Sequence, residues 1–161
     1  MALRARVDRH MVAVREVSGA TVFHVPPGER LSSKGTRSKQ TTIGSLICSR
    51  LRDCLDAEAC VFNGGGIRAS RDYPERFTYG DIEAEVPFAN EVVVVPMPGK
   101  VIRDAIAASR AKAPLESGAF LQVDDRMIVT DGPEHAVVAI DGAPIDLERL
   151  YRVATGRELL L

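Results

Sequence analysis

The run Asn63-Gly64-Gly65-Gly66-Ile67-Arg68 is where this sequence most plainly offers chemistry. It follows Ala59-Cys60-Val61-Phe62, a short apolar run that predicts a buried strand. Three successive glycines let the backbone adopt positive φ and come within contact distance of a ligand. The Asn63 carboxamide both donates and accepts, which suits a ribose hydroxyl or a base edge. The Arg68 guanidinium is a planar cationic fork that suits a phosphate or carboxylate. The competing reading is a glycine-rich turn whose arginine pairs with a nearby acid. The run is not a P-loop, because no Lys-Ser/Thr follows at the required spacing, and it is not GxGxxG. Pro87-Phe88-Ala89-Asn90 predicts a turn. An exposed Phe88 there stacks on a flat ring for about 1–3 kcal/mol, whereas a buried one is core under a loop. Arg37 precedes the first regular helix and reaches either an anion or solvent.

Other chemistries find little support. The serines lack a GxSxG elbow, so no nucleophile with a base partner is evident. Asp124-Asp125 reads as a solvated hairpin turn. The three histidines, His10, His24 and His135, stand far apart, and no DxH, HExxH or GNHD-like segment occurs. A metal centre built from this chain alone is not expected. Cys48, Cys54 and Cys60 are odd in number and lack CxxC spacing, so they predict free thiols packed as small apolar groups. Lys plus Arg is 21 against 22 for Asp plus Glu. That balance argues against a nucleic-acid polymer as partner, which needs a cationic surplus. Five Phe, three Tyr and no Trp are too few for a broad stacking platform. Val92–Val95 runs straight into Pro96, so no membrane span is expected, and no apolar h-region follows the charged start.

The elements that must position these residues follow from periodicity. Length predicts a single domain of 161 residues, with residues 1–36 as a linker segment and residues 37–161 as the core. In the linker, Ala20–Val25 alternates weakly, a pattern compatible with a strand, and Pro26-Pro27-Gly28 breaks it. Ile43, Leu46, Ile47, Leu51 and Leu55 have helical spacing behind a capping Thr41 or Thr42, and Ser45, Ser49, Arg52 and Asp53 form the opposite, polar face. Thr78 and Asp81 form a capping-box pattern for a short helix ending at Glu85. Glu91–Met97 predicts a β-branched strand. A helix from about Lys100 to Arg110 should bury Val101, Ile102, Ala105 and Ile106. Phe120–Val123, Met127–Thr130, Ala136–Ile140 and Tyr151–Ala154 predict further strands, with a tight turn at Asp141-Gly142. The order predicts an α/β (α+β) domain: a mixed sheet with packed helices.

Gly44-Ser45-Leu46-Ile47, Asn63–Arg68, Pro87–Asn90, Gly118-Ala119-Phe120-Leu121-Gln122-Val123 and Tyr151-Arg152-Val153-Ala154 together resemble the 5'-nucleotidase C-terminal domain. The resemblance runs from about Arg37 to Thr155. It implies a domain that binds the nucleoside part of a nucleoside 5'-monophosphate. Hydrolysis is then the task of a separate N-terminal metallophosphoesterase domain, where two divalent metal ions would sit. By the same resemblance Arg37, Asn63 and Arg68 contact the substrate and Phe88 is one of two rings that sandwich the base. Gly64, Gly65 and Gly66 shape the loop, and Asn90 is a further contact. The family's second ring and its Asp follow the last strand in a Gly-Gly-Asp-Gly context. Here the sequence reads Thr155-Gly156-Arg157-Glu158-Leu159-Leu160-Leu161. The alternative is a non-enzymatic ligand-binding or protein-interaction module on the same fold.

Overall fold

A computed structural model describes residues 2–130, 132 and 134–160, with side chains at 4, 7 and from 11 onward. Its centre is a four-stranded mixed sheet of order β6-β11-β3-β7, formed by Val92–Pro98, Leu150–Gly156, Ala59–Asn63 and Leu121–Val123. Strand β3 runs parallel to β11, with Cys60 opposite Ala154, and antiparallel to β7, with Asn63 opposite Leu121. Alternation along β3 sends Ala59 and Val61 to one face and Cys60 and Phe62 to the other. Helix α2 (Thr42–Cys54) covers the second face with Ile43 and Cys48. Helix α4 (Gly99–Arg110) covers the first with Ile102 and Ile106. On that side lies a smaller antiparallel sheet, β8 (Met127–Val129), β9 (Val137–Ile140) and β10 (Ala143–Pro144), whose Val137 and Ile140 join the core.

The mixed α/β architecture is the one expected, and several local signals act as anticipated. Thr41 caps α2, accepting from the Gly44 amide at 3.1 Å. Thr78 and Asp81 form the reciprocal capping box of α3 (Tyr79–Glu85). Asp141 and Gly142 both take positive φ, the geometry of a tight hairpin turn between β9 and β10.

Other expectations need correction. Residues 1–36, expected as an entry segment or linker, contain α1 (Ala2–Ser18) and β2 (Leu31–Ser32) besides β1 (Thr21–His24), which falls in the alternating Ala20–Val25 stretch. Strand β1 pairs with β5 (Arg76–Thr78), and β2 pairs with β4 (Asp72–Tyr73). Val101 is 46% exposed, because one residue before Ile102 it stands about 100° round the helix from the buried stripe. Cys54 is exposed, unlike Cys48 and Cys60. Ser49 and Arg52, expected on the solvated face of α2, are buried. The cause is Asp124, expected in an exposed hairpin but 2% exposed. Arg52 donates to it at 2.7 Å, and its second oxygen accepts from the Cys60 amide at 2.6 Å. Burial leaves the two opposite charges to compensate each other, and the pair ties the end of α2 to β3 and β7.

Candidate nucleotide-binding site

The three glycines form a single 3-10 turn, Gly64–Gly66, at the end of β3. None of them takes positive φ, which corrects the expected reason for them. They are needed for close approach to the chain itself. A Cβ on Gly64 would stand 2.0 Å from the Thr36 carbonyl oxygen, and one on Gly65 would stand 2.9 Å from that of Gly118. The amides of Gly64 and Gly65 donate to the carbonyls of Phe120 (2.7 Å) and Gly118 (3.0 Å). The turn is therefore wedged between the loop carrying Arg37 and the loop before β7. It fixes the two arginines relative to each other.

Arg37 and Arg68, 31 positions apart, line one polar cavity of about 220 Å³ together with Gly35, Thr36, Ser70 and Glu116. Among the described residues neither guanidinium has a carboxylate within ion-pairing distance. Arg68 donates only a long 3.3 Å bond to the Gly65 carbonyl. Its Cζ lies 5.7 Å from the centre of the Phe88 ring. That ring is 53% exposed, so the exposed-turn reading of Phe88 holds over the core one. The cavity thus offers two cationic forks, and Phe88, which does not line it, presents a flat apolar face beside Arg68; these are groups that a phosphate or sugar and a planar ring require.

Two expected residues fall elsewhere. Asn63 is half-buried and does not line this cavity, and its side-chain carbonyl oxygen is sealed from solvent without a partner. Asn90 is exposed, and its amide nitrogen donates to Glu158 at 2.9 Å. That bond docks the closing 3-10 turn, Arg157–Leu160, onto the Pro87–Asn90 turn, aided by Arg157 and Glu91 at 2.7 Å.

Two supporting residues escaped the sequence reading. Gln122 is fully buried. Its amide nitrogen donates to the carbonyls of Thr36 (2.8 Å) and Lys39 (2.7 Å), and its oxygen accepts from the Thr41 amide at 2.9 Å. Every polar atom of that side chain therefore holds the loop around Arg37. Gln40 accepts from Arg110 at 2.8 Å and donates to the Val123 carbonyl at 2.9 Å. Burial pulls the pKa of Arg110 down to about 10. Its polar partners stay neutral: two of its nitrogens share the Leu121 carbonyl, and its plane stacks 4.8 Å from the Phe120 ring centre. The one sequence signal was Gln122 within an otherwise apolar strand, where a lone polar residue needs partners.

Comparisons with known proteins bear on the family and the fold. A family model described as "5'-nucleotidase, C-terminal domain" matches residues 17–157. The chain belongs to the 5'-nucleotidase C-terminal domain family. The domain is 33% identical over 126 residues to Protein UshA of Yersinia enterocolitica, which covers 76% of this chain and 22% of that protein. It is 29% identical over 133 residues to the trifunctional nucleotide phosphoesterase protein YfkN of Bacillus subtilis, covering 74% of this chain and 9% of that one. Among solved structures, a 5'-nucleotidase precursor from Thermus thermophilus shares the fold with a TM-score of 0.71 at 23% identity. That match covers 97% of this chain and 33% of the other. The domain therefore spans about a fifth of UshA. Its own described residues contain no group of three or more His, Cys, Asp or Glu placed to hold a metal ion, and no helix long and apolar enough to cross a membrane.

Proposed function

We propose that this domain binds a nucleoside 5'-monophosphate for a 5'-nucleotidase-like phosphoesterase, and that residues 37–161 carry the grip. The observation that supports this most is the convergence of Arg37 and Arg68 on one cavity with Phe88 beside it. The two guanidiniums take the anionic and hydroxyl groups of the nucleotide. Phe88 takes one face of the base. The glycine turn, held by Thr36 and Gly118, keeps the backbones of the two arginines in register, so little loop entropy remains to be lost on binding. Names of relatives such as "trifunctional nucleotide phosphoesterase" support the same substrate class. In a complete enzyme a separate metallophosphoesterase domain would hold two divalent metal ions, which would supply an activated water for attack at phosphorus. This chain's part is to present the ester there.

Asn63 enters this reading through its backbone position at the head of the turn, since its side-chain oxygen is sealed. Asn90 enters as the neighbour of Phe88 and the anchor of Glu158. Calorimetric titration of the chain with AMP, UMP and a cyclic nucleotide tests the proposal. AMP or UMP should bind, and Arg68→Ala should weaken binding about tenfold or more, the loss of a charge-assisted contact. No heat at millimolar nucleotide with a folded chain would end this reading.

A further inference from the structure

Glu85 is the last residue of α3 and is fully buried, yet none of the groups described above uses its carboxylate. One carboxylate oxygen accepts from the Tyr73 hydroxyl at 2.8 Å, and the other accepts from the Ala69 amide at 3.1 Å. The Glu85 main-chain carbonyl accepts from the Arg68 amide at 2.8 Å. Among the described residues no cation lies within ion-pairing distance of it. Burying a carboxylate without a cation is costly, and an apolar side chain would fill the space under α3 at less expense. The bonds Glu85 makes account for its presence. It joins two pieces of chain: the exit of the glycine turn at Arg68 and Ala69, and the Pro87–Asn90 turn that begins two residues later. Tyr73, itself 4% exposed, braces the carboxylate from β4 and packs edge-on against Phe77 at 4.9 Å. Burial, followed by the bond to Glu85, holds the Tyr73 phenol well above its ordinary pKa, so it stays a donor.

We infer that Glu85 and Tyr73 are positioning residues that set the Arg68 guanidinium and the Phe88 ring at their mutual spacing for nucleotide binding. The inference rests on the nucleotide-binding reading for its purpose, but its geometry is testable without a ligand. Removing the carboxylate takes away the Ala69 bond, leaves only the main-chain bond from the Arg68 amide to hold this segment to α3, and lets the arginine and the ring drift apart. Glutamine at position 85 keeps both contacts with one reversed: its oxygen accepts from Ala69, and its amide donates to the Tyr73 oxygen.

The test is nuclear magnetic resonance of the whole chain with Glu85→Leu, Glu85→Gln and Tyr73→Phe, followed by titration with AMP. Two signals are read first: hydrogen exchange of the Ala69 amide, and the chemical shift of the Arg68 Nε–H group, which the Phe88 ring current sets. Glu85→Leu should speed exchange at Ala69 and move the Arg68 signal. Glu85→Gln should restore both, and Tyr73→Phe should move them in the direction of the leucine variant. AMP affinity should fall about tenfold in Glu85→Leu, about threefold in Tyr73→Phe, and little in Glu85→Gln, the scale of one to two lost hydrogen bonds acting through a loop. If Glu85→Leu fails to fold, Tyr73→Phe carries the same comparison. Wild-type spectra and affinity in folded Tyr73→Phe and Glu85→Leu proteins, with only thermal stability reduced, would overturn the inference. Failure of the unmodified chain to bind AMP would instead overturn the nucleotide reading, and the two signals would still decide whether Glu85 positions Arg68.

Discussion

Gly64 concentrates the logic of the site in one missing methyl group. Its Cα sits against the Thr36 carbonyl, the residue before Arg37, so the glycine turn and the arginine loop share a contact surface. The Gly64→Ala variant has no room, because its methyl would meet backbone at 2.0 Å and backbone cannot swing aside as a side chain would. We expect a loss of about 3 kcal/mol or more, at the upper end of overpacking costs, read as a shifted urea midpoint. Gly118→Ala serves as the control, since its added Cβ would meet its nearest neighbour at an ordinary 3.8 Å. The sequence carried the glycines but not their reason. A triglycine is compatible with positive φ, with ligand approach and with chain approach, and only the position of a segment 28 residues upstream separates these. Phe88 was legible to the same partial degree. Pro87 and Asn90 predict the turn, but whether its ring faces core or solvent depends on what packs beneath it.

Elements follow the same division between local and distant causes. The capping box of α3 and the Asp141-Gly142 turn involve residues next to or three apart from each other, so their chemistry is written in adjacent letters. Helix α1 was missed although Val7, Met11, Val14 and Val17 recur at helical spacings of three and four; the structure leaves all four exposed. The polar face assigned to α2 was half wrong because Arg52 meets a partner 72 positions away. That partnership makes a sharp prediction. Arg52→Met leaves Asp124 buried without its cation, and stability should fall by about 3–5 kcal/mol. The acid response should change too. A hydrogen bond from Arg52 holds the exposed Asp125 carboxyl below its ordinary pKa. Between that lowered value and the unfolded value of about 3.9, the unfolded chain binds more protons, so stability drops as pH falls through this window. Asp125→Asn should flatten that acid slope and lower stability near neutral pH by the small contribution that the exposed carboxylate makes there. Urea midpoints measured from about pH 6 down to about pH 2 check both variants.

At the scale of the molecule, one four-stranded sheet carries two cores, and the site draws on both sides of it. Arg37 belongs to the loop before α2, which covers one face. Gln122, which fixes that loop, stands in β7 beside Leu121 and Val123 of the other core. Glu85 reaches the glycine turn from α3. A ligand bridging Arg37, Arg68 and Phe88 therefore contacts segments that separate only when the domain unfolds as a whole. Because such a ligand binds the native state and not the unfolded chain, it stabilises by mass action, about 2.7 kcal/mol at a hundredfold excess over Kd. For a domain of this length that raises Tm by about 5–10 °C. We expect a single calorimetric transition with and without AMP, displaced upward as one peak when AMP is present. Arg37→Ala and Arg68→Ala should each cut the displacement by about half or more, as a tenfold loss of affinity requires, while altering the ligand-free Tm little, since neither guanidinium holds an internal ion pair among the described residues. A ligand-dependent shoulder in place of a moved peak would mean that the arginine loop and the β6-β11-β3-β7 sheet unfold separately, and that the cavity is an annex to the fold.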